Sequence, residues 1–176
     1  MDNRYVIPLT NFKYNRQAIV DAQHNHKNYE ANPLFMDYNG VDTVKDCLMF
    51  DLTKFKYDVT VDLCARFNFE TDDKFTKVLA GGVMPAHIDP LRTAVVMFPL
   101  TDKPSPIHYY DESMNELFNY TYEGVTIINA KIKHGVPVNN SDRIFYQVNC
   151  YLPWEDVVSM HSEGTCLLYT SDAADE

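Results

Sequence analysis

The last two-thirds of the chain reads as short alternating segments, and the first third does not. From Tyr57 the period is two: Val59, Val61, Leu63, Ala65, Phe67 and Phe69 alternate with Thr60, Asp62, Cys64, Arg66 and Asn68. That pattern predicts a half-buried strand. Further β-like runs lie at Phe75–Leu79, Thr93–Leu100, Ile107–Tyr110, Gly124–Asn129 and Ile144–Leu152. Gly81-Gly82, residues 102–106 and residues 137–142 separate them with turn chemistry. Several short strands at this spacing predict a β-sandwich or barrel, with jelly rolls as one solution. Upstream, Tyr5–Pro8 is a lead-in segment, and Asn15 to Tyr29 reads as a helix with an apolar stripe of Ile19, Val20 and Ala22. Asn11 or Asn15 is its cap. Asn32-Pro33 and Asn39-Gly40 mark turns, and a second helix is expected around Asp42 to Phe50. Helices precede strands, so they are expected to brace one face of the sheet.

No repeat, low-complexity tract or Gly/Ser linker interrupts the chain, so residues 1 to about 160 are taken as one domain, with 161–176 as a tail. Its 176 residues, 45% hydrophobic and 13% aromatic, are enough for one sizeable core. The balance of 15 basic against 25 acidic residues, net −10, argues against a general nucleic-acid binder. No apolar run approaches the ~20 residues of a membrane span and no signal-peptide core follows Met1, so a soluble, cytoplasmic protein is expected. The four cysteines form neither a CxxC pair nor a metal-ligand spacing, as in a reduced compartment. The last eleven residues, from Cys166 to Glu176, continue no earlier pattern and resemble the translation of a sequencing adaptor; they are expected to be non-native. Without their three acids the remainder holds 15 basic and 22 acidic residues, net −7.

Two segments could carry chemistry. In residues 81–92, His87 and Asp89 stand two apart, so in a strand they share a face and offer a nitrogen and a carboxylate oxygen side by side. In residues 129–143, His134 sits at the end of a β-like run, 45 residues after Asp89. If the sheet folds back, two His and one carboxylate form a facial triad with open positions on Fe(II). Arg143, nine residues on, offers a planar fork suited to a carboxylate.

These residues resemble the Fe(II)/2-oxoglutarate-dependent dioxygenases: His87-x-Asp89, the distal His134 in a His-Gly-Val-x-x-Asn setting, and Arg143. The flanking sequence agrees, with a Gly-rich turn before His87, Pro-Leu-Arg after Asp89 and a Tyr-Tyr strand between. The chain is most similar to small hydroxylase-like members from phage and marine bacteria. The resemblance covers about residues 57 to 157, leaving 1–56 as N-terminal helical support.

It implies a double-stranded β-helix (a cupin-like jelly roll), mostly β with N-terminal helices. It also implies His87, Asp89 and His134 as iron ligands and Arg143 as the clamp for the distal carboxylate of 2-oxoglutarate. The reaction implied is hydroxylation of a C–H bond with O2, releasing succinate and CO2, and ascorbate is admitted as an accessory. Substrate candidates are an amino-acid side chain, free or in a protein, a small metabolite, or a glycan or lipid head group; nucleic acid is disfavoured by the charge. Arg92 is assigned to orienting Asp89 or contacting a ligand, one of Tyr109 and Tyr110 to hydrogen-bonding the cosubstrate, and Asn129 and Asn139 to supporting the site.

Each residue also has an ordinary alternative: a surface histidine, an Asp-Pro turn, a loop His-Gly, a surface arginine. Two further classes stay open. A non-enzymatic jelly-roll structural or carbohydrate-binding module requires that the two His and the Asp do not converge. A cupin-like metalloenzyme without 2-oxoglutarate requires that Arg143 point away from the metal.

Overall fold

Residues Arg143–Cys150 and Ala94–Pro99 are nearly all buried on both faces, which makes them the centre of the sheet. The computed structural model describes residues 2–25, 29–31, 47–52, 56–138 and 140–163. In chain order its elements are β1 (Val6–Pro8), α1 (Arg16–Asn25), β2 (Glu30–Ala31), β3 (Cys47–Asp51), α2 (Asp58–Cys64) and β4 (Thr71–Val78). There follow β5 (Met84–His87), β6 (Ala94–Pro99), β7 (Ile107–Tyr110), β8 (Glu116–Tyr120), β9 (Thr126–Asn129), β10 (His134–Val136), β11 (Arg143–Cys150) and α3 (Trp154–Ser162).

The strands form two antiparallel sheets: a seven-stranded one ordered β1-β9-β6-β11-β4-β3-β2, and a four-stranded one ordered β5-β10-β7-β8. From β4 onward the chain passes back and forth between them, which is a jelly roll with the double-stranded β-helix order. The two faces of the large sheet do different work. Val95, Met97, Ile128 and Phe145 face the small sheet and pack against Ile107, Tyr109 and Tyr120. Val96, Phe98, Ile127, Tyr146 and Val148 face the other way, against α1, α2 and α3 through Ile19, Leu63, Trp154 and Val157. No helix among the described residues is long and apolar enough to cross a membrane.

Two sequence expectations are corrected. Residues 57–69 are not a strand: Asp58–Cys64 is a helix, closed at its start by bonds between Thr60 Oγ1 and the Tyr57 backbone. Its buried positions, Thr60, Leu63 and then Phe67, are spaced three and four apart, so the helical period governs burial. Val61, one of the six apolar positions in the apparent alternation, is 45% exposed. Cys47–Asp51 is a strand rather than part of a helix, because Cys47–Leu48–Met49–Phe50 pairs along the free edge of β4. Residues 42–46, both expected turns at 32–33 and 39–40, and the tail 166–176 lie outside the described residues. The first helix begins where its cap predicts, with Asn15 Oδ1 accepting from Ala18 N at 3.1 Å, and is described over Arg16–Asn25; residues 26–28 of the expected helix lie outside the described residues.

On the helix-facing side Tyr146 donates to Asp73 Oδ2 at 2.9 Å, and burial pushes the Asp73 carboxyl above its usual range. A raised folded value means the native state holds the proton more tightly. The stability this gives is fully present below the unfolded value of about 3.9 and is lost as pH rises through the raised one. Asp73→Asn keeps an oxygen for Tyr146 and removes the buried charge. Its thermal midpoint at pH 7 should therefore exceed that of the native chain, with the advantage gone near pH 3; equal midpoints at both pH values would contradict this.

Candidate metal centre

The centre is assembled by two very short strands. β5 and β10 run antiparallel with His134 directly opposite His87, so their rings meet at 4.6 Å between centroids. Asp89 follows just beyond the end of β5, and its backbone N–H donates to Ala130 O at 3.0 Å, which returns the carboxylate toward the two rings. One donor atom from each of His87, Asp89 and His134 lies within 4.8 Å of the others. His134 and Asp89 are each only 2% exposed.

Both imidazoles are oriented the same way. His87 Nδ1 sits 2.8 Å from Pro85 O and His134 Nδ1 2.8 Å from Ile132 O. A carbonyl can only accept, so each Nδ1 carries the hydrogen and each Nε2 is the acceptor nitrogen of its ring. Those Nε2 atoms stand 3.9 and 3.8 Å from the Asp89 carboxylate oxygens, too far for a hydrogen bond. Burial holds His134 down to about 3, with the His87 charge adding to it, and burial also lowers His87. Three acceptor groups thus converge, an arrangement that could hold a metal ion. Backbone carbonyls fixing the far nitrogen are the usual supporting shell of metal-binding histidines.

Arg92 ties this centre to the large sheet. Its Nε approaches Asp89 Oδ2 at 2.8 Å as an ion pair but off the line of a hydrogen bond, so buried Oδ2 has no such partner among the described residues. Burial alone would raise the Asp89 carboxyl, but the Arg92 guanidinium outweighs it and holds Asp89 below the usual range. Arg92 Nη1 in turn donates to Asn149 Oδ1 at 2.7 Å and Gln147 Oε1 at 3.3 Å.

Arg143, the first residue of β11, is 3% exposed and lines the same cavity as His87, His134, Arg92, Lys74 and Gln147. Its Nε donates to Ser105 O at 3.1 Å, its Nη2 to Tyr122 Oη at 3.1 Å, and its guanidinium lies 4.2 Å from the Phe145 ring centre. All these partners are neutral, and among the described residues no carboxylate forms an ion pair with it. Burial accordingly lowers its pKa. A buried cation without an anion is costly to the fold, and an anionic ligand relieves that cost. The cavity has a volume of about 30 Å³.

The other expected site residues are placed as follows. Tyr109 is buried, donates to Tyr5 O at 2.9 Å and packs its ring 5.9 Å from that of His134. Tyr110 is on the opposite face of β7, stacked beside His108. Asn129 donates its amide N–H to Arg4 O and accepts at its oxygen from Lys131 N, both at 2.9 Å, tying the end of β9 to the N-terminal segment. The structure brings none of these three to the cavity lining, and Asn139 lies outside the described residues. Sequence reasoning missed Tyr122, Gln147 and Lys74. For Gln147 the signal existed, since Arg143, Gln147 and Asn149 fall on one face of a period-two run; Tyr122 lies between strands and had none.

Gly135 makes the close approach of β10 to β5 possible. A Cβ there would lie 2.8 Å from Met84 O and 3.0 Å from Ala86 Cα, both backbone atoms that cannot swing away. Gly135→Ala should therefore cost about 1–3 kcal/mol, as overpacking does, and should weaken divalent-metal binding by displacing His134. Calorimetric melting and metal titration check this; an unchanged midpoint would contradict the close packing of the two strands.

No family model matches the chain, and no curated protein sequence matches it. Solved structures do. A prolyl-4-hydroxylase from Pseudomonas putida superposes with a TM-score of 0.55 at 8% identity, over 77% of this chain and 84% of that one. A 2OG-Fe(II) oxygenase family oxidoreductase from Burkholderia pseudomallei gives 0.54 at 12% identity, over 82% of each chain. HygX from Streptomyces hygroscopicus, solved with nickel and 2-oxoglutarate bound, gives 0.54 at 11% identity, over 82% and 80%. At such identities the likeness speaks for the fold.

Proposed function

We propose that the chain is an iron(II)- and 2-oxoglutarate-dependent dioxygenase that hydroxylates a C–H bond of an amino-acid, peptide or small-metabolite substrate, releasing succinate and CO2. One joint observation carries the reading: His87 and His134, whose ring nitrogens cluster with an Asp89 oxygen, line the same cavity as Arg143, a buried arginine with no carboxylate ion pair among the described residues. The donors suit the metal, since two imidazole nitrogens and one carboxylate oxygen are a set that would hold Fe(II) and leave positions for other ligands. When bound, iron and 2-oxoglutarate, with ascorbate as an accessory reductant, supply the oxidising chemistry. The chain's own residues position and protect. His87, Asp89 and His134 hold the metal, Arg92 fixes Asp89, and Arg143 engages the distal carboxylate of the cosubstrate. Met84, Met97, Ile107 and Ile128 supply the apolar part of the cavity wall. Support for the class comes from the fold likeness to proteins described as 2OG-Fe(II) oxygenases.

A second reading, a cupin-like metalloenzyme that does not use 2-oxoglutarate, is opposed by Arg143 lying in the cavity of His87 and His134 and is favoured by one observation. At about 30 Å³ the cavity holds water-sized guests, since one water needs about 10–15 Å³ of such space. A dicarboxylate needs more room than this, so lining side chains must shift to admit one. The two readings separate on succinate formation from 2-oxoglutarate in air with Fe(II): the first requires it and requires that a chelator abolish it, the second gives none.

A further inference from the structure

Of the five N–H groups on a guanidinium, Arg143 gives one from Nε to Ser105 O and one from Nη2 to Tyr122 Oη, while Nη1 makes no hydrogen bond among the described residues. Both acceptors are neutral oxygens, so the buried charge keeps its need for an anion. Thr76 lines the same cavity, and its Oγ1 is buried with no hydrogen-bond partner among the described residues. A hydroxyl hydrogen turns to suit whatever acceptor arrives. Thr76 stands directly opposite Phe145 across β4 and β11, and the guanidinium lies 4.2 Å from the centre of that same Phe145 ring. An unpartnered hydroxyl and a guanidinium with donors to spare thus share one inward patch of the large sheet.

Size and sign limit what fills the space beside them. None of the described lining residues is acidic. Lys74 and Arg92 are further cations of the wall, Arg92 being paired with Asp89. At about 30 Å³, against the about 10–15 Å³ that one water needs, the cavity takes a single-atom guest with no side chain moving. Sulfate, phosphate and dicarboxylates are larger. Water fits by size but brings no charge to the arginine. A halide fits by both, since it is a spherical monoanion that only accepts hydrogen bonds.

We propose that the chain binds chloride at Arg143, with Thr76 Oγ1 as a second donor, and that chloride and 2-oxoglutarate exclude each other there. The chloride site does not depend on the oxygenase reading above; the competition does.

The first arm of the test is the chloride NMR line width of the full chain, with a chelator present so that no metal-bound halide contributes and gluconate holding the ionic strength constant. Exchange with a protein-bound site should broaden the chloride line, and bromide should reverse the broadening while sulfate does not. Arg143→Met should abolish it, and Thr76→Val should weaken chloride by about tenfold, the scale of one hydrogen bond to a charged group. No excess broadening in the native chain means that water fills the cavity, and it overturns the proposal. So does equal broadening in a folded Arg143→Met. Should that variant's melting curve show it unfolded, Thr76→Val decides, and an unchanged affinity there overturns the site.

The second arm is 2-oxoglutarate titration of the anaerobic Fe(II) protein at constant ionic strength. At chloride ten times its dissociation constant, apparent 2-oxoglutarate affinity should fall by about tenfold, and in Arg143→Met chloride should weaken it no further. Chloride bound at Arg143 with no 2-oxoglutarate bound under any condition overturns the oxygenase reading and keeps the site. Binding of 2-oxoglutarate that chloride leaves unchanged overturns the competition and keeps the oxygenase.

Discussion

Arg143→Met is expected to melt within a few degrees of the native chain while binding 2-oxoglutarate at least about tenfold more weakly, the loss of one charge-assisted partner. The two halves of that result have separate causes. The substitution removes hydrogen bonds to Ser105 O and Tyr122 Oη, but it also removes a buried cation for which the described residues supply no carboxylate. Replacing buried ions by apolar groups of similar size is often neutral or stabilising. Near-constant stability with lost ligand binding is the mark of a residue kept for its ligand. Arg143→Lys should recover only part of the affinity, since an ammonium offers a point charge and no fork. Tyr122→Phe, which releases the guanidinium from its 3.1 Å acceptor, should weaken 2-oxoglutarate less than Arg143→Met does. A large fall in melting temperature with unchanged 2-oxoglutarate affinity would make Arg143 a structural residue, and the metalloenzyme without 2-oxoglutarate would then lead.

The other large effect is expected at His134. His134→Ala leaves Asp89 with one imidazole and opens one position of the donor set, so Fe(II) or Ni(II) should no longer bind tightly. The native chain should gain about 2.7 kcal/mol at a metal concentration one hundred times the dissociation constant. For a domain of this size that is a rise of several degrees in melting temperature, reversed by a chelator. In His134→Ala the rise should vanish. An equal metal-induced rise in both proteins would place the ion elsewhere.

The candidate site was legible in the sequence to the extent that it depends on residue type and spacing. His87, Asp89, His134 and Arg143 are named by a pattern of four residues, and β6, β7, β9 and β11 by apolar runs that the structure finds within about two residues of their expected ends. What was hidden depends on contacts between distant segments. β5 and β10 are four and three residues long, too short to show any period, yet their pairing sets His87 opposite His134. The Asp58–Cys64 helix was misread because alternation of residue type happened to coincide with a three-and-four spacing of burial. Tyr122 reaches Arg143 across 21 residues, and Arg92 reaches Asn149 across 57. Neither link leaves a local trace. Arg92 shows what the fold adds, since its place three residues after Asp89 was visible but its bridge to β11 was not.

The central claim, that one cavity holds both a ferrous ion and 2-oxoglutarate, is tested most directly by anaerobic titration of the full chain with Fe(II) and then 2-oxoglutarate, following the metal-to-ligand absorption band. The expected result is a band that saturates at one iron and one 2-oxoglutarate per chain, is absent in His134→Ala, and in Arg143→Met appears only at much higher 2-oxoglutarate. Iron binding to the native chain with no band at any 2-oxoglutarate concentration would contradict it.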